Sequence, residues 1–186
     1  MNTQRHPVPD EVFRKNYAHL DRVDSVPVDN SIAPLATLSN FLFSREPNHT
    51  ERFYKKDFAE RLITVLETFE PDVVQLESIY LATYLPHIRK YSKALTALRM
   101  HNIEYQVWEL LAAETKNLFK KIYLNNLAKR IKVFEEKAWQ QFDLLIPITE
   151  KDAEIVRNKG ITTEMIVAPF GIDAVTPTNI DAQWCG

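Results

Sequence analysis

Two short polar pairs follow directly on apolar runs in this chain: Glu77-Ser78 comes after DVVQL, and His101-Asn102 after ALTALRM. A carboxylate and an imidazole are well suited to hold a hydroxyl or to pass a proton near neutral pH, and the amide of Asn102 can orient a hydroxyl from either end. Glu104, three residues beyond His101, adds a second carboxylate. Each residue also has a purely structural reading. His101 could be satisfied by loop backbone, Asn102 could cap the following helix, and Glu77 and Glu104 could be first-turn charges favoured by a helix dipole. Their joint chemistry would be contact with a hydroxyl-bearing ligand, with the glutamates binding rather than acting as bases.

That chemistry requires one rim shared by all four, so the elements between them matter. Phe58, Leu62, Val65, Leu66 and Phe69 recur at helical spacing and predict a helix ending before Pro71. Val73, Val74 and Leu76 predict a short buried strand finishing at Glu77, and residues 79–91 a helix that Pro86 kinks or splits. Residues 94–100 read as a second strand, 104–114 and 118–142 as two helices. The longer helix carries Phe119, Tyr123, Leu127, Ile131, Phe134 and Ala138 along one stripe, backed by a basic face. LLIPIT predicts a third strand, Thr149 a helix N-cap with Asp152 in a capping-box-like position, and Gly160 the stop of that helix. MIVA at 165–168 closes the series as a fourth strand. Before residue 50, prolines interrupt the pattern, and VDSVPV at 23–28 suits an edge or terminal strand.

Strand and helix thus alternate four times, which predicts an α/β fold: a Rossmann-like parallel sheet with helices on both faces and right-handed crossovers. Such sheets bind ligands outside the C-terminal strand ends, which here means Glu77 and Ser78, His101 and Asn102, Thr149 and Glu150, and Phe170 and Gly171.

Composition narrows the function. The chain has 186 residues, enough for one domain, with 45% hydrophobic and 26% charged residues and a formal charge of −2, which offers no global attraction to nucleic acid. Its three glycines, Gly160, Gly171 and Gly186, lie far apart, so neither a dinucleotide loop nor a P-loop exists. Five scattered histidines and a lone Cys185 show no metal-ligand spacing, so neither a metal nor a cofactor is expected. One cysteine also excludes an internal disulfide and points to the cytoplasm. No run reaches the roughly 18 apolar residues that a membrane span needs.

The segments LRMHNIEYQVWELLAAE, the long basic helix, FDLLIPITEKDAEIVRNKG and IVAPFGID occur in an order and spacing similar to the N-terminal domain of retaining group-one glycosyltransferases, the family-four-like type. The resemblance covers about 70–173. It implies one lobe of a GT-B fold, with residues 1–173 as the acceptor-side domain, its first strand missing, and 174–186 as a linker or tail. A C-terminal donor domain holding the nucleotide-sugar would lie outside the chain, which alone is expected to be inactive. The resemblance puts His101 at the cleft as the catalytic position, Asn102, Glu104 and Glu77 in contact with acceptor or donor sugar, and Gly171 and Asp173 in the interdomain turn. Gly171 would there exploit glycine's tolerance of positive φ. The implied partners are a nucleotide-sugar donor and a glycan or lipid-linked acceptor in polysaccharide biosynthesis. The basic helix, with Phe41, Leu42 and Phe43 as an apolar wedge, suggests peripheral contact with the inner face of the membrane. The alternative is a non-catalytic α/β module that binds a membrane or protein surface.

Overall fold

The computed structural model describes residues 2–3, 18–28 and 53–171. Asp173, the tail 174–186 and Phe41 to Phe43 lie outside them. A two-residue parallel pair, β1 (Asn2–Thr3) with β2 (Pro27–Val28), stands apart from the main sheet. Of the expected 23–28 strand only these last two residues pair, consistent with a proline that has no N–H to give a ladder.

Helix α1 (Lys56–Phe69) ends where Glu70 turns left-handed, φ 47°, its N–H returning to the Leu66 carbonyl ahead of Pro71. Strand β3 (Val73–Leu76) stops at Glu77. Pro86 splits the next helix as its chemistry requires: a 3-10 turn at Ile79–Tyr84 gives way to α2 (Leu85–Tyr91), with the proline in the first turn, where no intrahelical donor is missed. Strand β4 (Leu95–Met100) follows, then the hairpin of α3 (Glu104–Glu114) and α4 (Leu118–Trp139), then β5 (Leu144–Pro147), α5 (Glu150–Arg157) and β6 (Glu164–Met165). Thr149 Oγ1 accepts from the Asp152 N–H at 3.1 Å and donates to the Asp152 carboxylate at 2.7 Å, so this cap is built on the side chain it was expected to use. After α5 the chain turns at Gly160, whose φ of 73° is left-handed.

The four main strands are all parallel and lie in the order β3-β4-β5-β6. Leu76, Leu98, Leu145 and Met165 stand side by side across the sheet, and the first three are buried. Central β4 is covered on both faces, since consecutive Thr96, Ala97 and Leu98 are all buried; the outer strands β3 and β6 are more exposed. Ile131 and Trp139 of α4 and Val156 of α5 join the sheet leucines in one core. This is the expected α/β fold with a Rossmann-like parallel sheet. Among the described residues no helix is long and apolar enough to cross a membrane.

At the N-terminal strand ends a polar clamp closes the sheet. The Asp143 carboxylate accepts from the N–H (2.7 Å) and hydroxyl (2.9 Å) of buried Thr96 and pairs with Arg89 at 2.9 Å. Burial pushes this carboxyl up, but the Thr96 donors and the Arg89 guanidinium outweigh it and hold it below the usual carboxylate range.

Candidate functional site

Because β3 and β4 are neighbours in register, their C-terminal ends bring Glu77 and His101 together: His101 Nε2 lies 3.1 Å from Glu77 Oε2. Gln75 Nε2 donates to the other Glu77 oxygen, and Arg99 Nε lies 3.9 Å from Oε2. A carboxylate on Nε2 favours the tautomer with its proton there and leaves Nδ1 as the acceptor. Phe170, just beyond β6, lies nearly parallel to the His101 ring at 5.6 Å, and the Arg99 guanidinium sits 5.0 Å from its centroid. The ring is 58% exposed, so it offers an apolar surface beside the imidazole.

A cavity of about 270 Å³ opens at this rim, lined by Glu77, His101, Asn102 and Glu104 among others. All four residues singled out from the sequence therefore share one site. A larger hollow, about 810 Å³, lies at the opposite ends of β3 and β4 against Asp72, Arg89 and Lys93, away from these groups.

The lower wall holds a residue that the sequence reading passed over. Glu135, near the C-terminal end of α4 and 1% exposed, accepts from the N–H groups of Glu104 (3.0 Å) and Tyr105 (3.1 Å). It caps α3 from outside, since the N-cap residue Ile103 has no side-chain acceptor. Asn102 accordingly does not perform the capping role open to it. Burial pushes the Glu135 carboxyl up to about 8 against the pull of the two N–H groups. The signal for it lies in the α4 stripe, where position 135 falls between Ile131 and Ala138 on the buried side.

Glu104 is held from its own side. Its Oε1 accepts from the Tyr80 hydroxyl at 2.7 Å and from Trp108 Nε1 at 3.1 Å. Burial, followed by the Glu104 hydrogen bond, pushes the Tyr80 phenol upward, so it stays a donor. The carboxylate is thereby anchored through Oε1 at the cavity edge.

No family model, curated protein or solved structure matches the chain.

The remaining candidates fare differently. Gly171 has no positive φ, and a Cβ built there would meet nothing within 4 Å, so the turn does not need glycine at that position. The reading of Gly171 as a glycine-dependent turn is corrected accordingly; among the described glycines the left-handed one is Gly160. Thr149 and Glu150 are engaged within α5, through the cap and an ion pair with Arg157. Among the described residues no three His, Cys, Asp or Glu side chains converge as a metal site. Chemically, the rim is a hydrogen-bonding surface of two anchored carboxylates, one oriented imidazole and one amide beside an aromatic plate. Hydroxyl groups on a ring with an apolar face would match it.

Proposed function

We infer that this chain is the acceptor-side half of a retaining sugar transferase, moving a glycosyl group from a nucleotide-sugar to a glycan or lipid-linked acceptor. The observation that carries this reading is the Glu77–His101 contact at neighbouring parallel strand ends, opening on the same small cavity as Asn102 and Glu104. Glu77 orients the imidazole, His101 meets a sugar hydroxyl through Nδ1, Glu104 accepts from another, and the exposed Phe170 ring supports the apolar face of the sugar. Charge developing on the departing phosphate would be stabilised by a second, donor-binding lobe. This half contributes position, which alone can account for large rate factors.

The test uses the chain joined to its donor-binding lobe. His101→Ala is expected to lower the transfer rate by about 100-fold, the scale of a misplaced reactant, while nucleotide affinity stays within about twofold. Unchanged transfer would remove His101 from the site.

A further inference from the structure

We propose that two copies of this chain pair through the α3–α4 hairpin, in a two-fold packing of four helices. Six large apolar residues are exposed within residues 107–122: Val107, Leu110 and Leu111 on α3, and Leu118, Phe119 and Ile122 on α4. Spacings of three and four put each trio on one outer face of its helix, and Glu114 falls on the same face as Leu110 and Leu111. The opposite faces supply the core contacts, with Tyr105, Ala112, Leu124 and Leu127 buried. The outer apolar surface is therefore additional to what the fold needs. At ordinary side-chain areas it amounts to on the order of 700 Å² per copy, close to the ~800 Å² per partner of a standard interface and more than a monomer usually leaves bare.

Charge selects the occupant. Within the same residues stand Glu109 and Glu114 on α3, against Lys116 in the link and Lys120 and Lys121 at the start of α4. Lys121 is half-buried and the other four are exposed; among the described residues none of the five is in an ion pair. The signs nearly balance in number but are segregated by helix. An anionic bilayer would meet Glu114 together with the lysines, so attraction and repulsion offset. A two-fold axis crossing the helices would lay α3 on α3 and α4 on α4, acid on acid and lysine on lysine. An axis running along the hairpin instead lays α3 of each copy antiparallel on α4 of the other, hairpin ends together. The acids of one copy then meet the lysines of the other twice over, around an apolar centre where Leu110 and Leu111 face Leu118, Phe119 and Ile122 of the second copy. Of these three arrangements it alone satisfies both the apolar residues and the charges. The proposal rests on the hairpin alone and does not depend on the sugar-transfer reading.

The experiment is sedimentation equilibrium of the full chain over a range of concentrations, with flotation of the same samples on vesicles containing phosphatidylglycerol. A monomer–dimer equilibrium is expected. Its dissociation constant should rise at least tenfold in Phe119→Asp, in Glu114→Lys, and in the double variant Lys120→Glu with Lys121→Glu. Combining the three charge reversals in one chain should recover most of that loss, because acids and lysines merely exchange helices. Phe69→Asp, an exposed aromatic on α1 away from the hairpin, should pair like wild type. At concentrations where wild type is monomeric the thermal midpoint of Phe119→Asp should match it, since Phe119 is 84% exposed, which separates lost pairing from lost folding. A chain that stays monomeric up to about 100 μM, a dimer indifferent to Phe119→Asp, or a combined charge variant as weak as its parts would overturn the proposal. So would a monomer that floats with the anionic vesicles, which would assign the surface to a bilayer.

Discussion

Glu135 makes the stability of this domain depend on pH in an unusual direction. A glutamate in the unfolded chain titrates near 4.5, and the folded one is pushed up to about 8. Between those values the native state keeps a proton that the unfolded chain has released, so stability falls as pH rises, and it is greatest below the unfolded value. At about 1.4 kcal/mol per pH unit, the window is worth at most about 5 kcal/mol. Asp24 and Asp143 are both held low, so their contributions are lost only as pH falls below this window. Lys159 is held high by Glu136 and acts above it. The perturbation is Glu135→Gln, which keeps the shape and one carbonyl acceptor but never ionises. Its amide nitrogen would face one of the two backbone donors at the start of α3, costing about 1–3 kcal/mol at pH 5. Urea midpoints followed by tryptophan fluorescence at pH 5, 6, 7 and 8 should show wild type losing stability steadily. The variant should start lower and stay nearly flat, so that the two curves converge or cross by pH 8. Parallel curves would show that another group carries the dependence and that Glu135 is not the buried proton holder.

Two further outcomes test the frame around the site. Asp143→Asn should lower unfolding stability by about 1–3 kcal/mol by weakening the hold on Thr96 and Arg89, and should abolish the part of the acid sensitivity that appears below the ordinary carboxylate range; an unchanged acid limb in urea titrations would argue against the clamp. Gly160→Ala should cost about 1–2 kcal/mol from its left-handed backbone, since the added methyl meets open space, whereas Gly171→Ala should change the thermal midpoint little; equal effects would contradict the backbone assignment.

Much of this architecture was legible because local chemistry and tertiary packing agree. Pro71 and Pro86 punctuate helices through their missing N–H, Thr149 offers an oxygen where α5 needs one, and short apolar runs end at Glu77 and His101. Parallel neighbours that pair Leu76 with Leu98 bring Glu77 level with Arg99, and the contact with His101 runs diagonally across the strand ends. Glu135 was hidden because its burial depends on how α4 lies across the start of α3, a relation that no sequence window contains. An acid on an otherwise buried stripe was the available clue. Phe119 shows the converse: by spacing it belongs to the α4 stripe, but it lies in the first turn beside the hairpin link and points to solvent. The stacking of Phe170 on His101 likewise joins the end of the second main strand to the segment beyond the last.

The strand order has a kinetic meaning. The strands of the main sheet pair in the order in which they occur in sequence, so no crossover has to wait for a later segment to slip between two already joined. The sheet can grow by accretion as the polypeptide emerges, β4 on β3 and β6 on β5, each across a modest connection. The joining of β5 to β4 encloses the whole helical hairpin and carries the largest loop entropy, which makes it the natural slow step. The Glu77–His101 contact needs the β3–β4 pair alone, whereas Phe170 and Glu135 complete the rim from segments that follow β4.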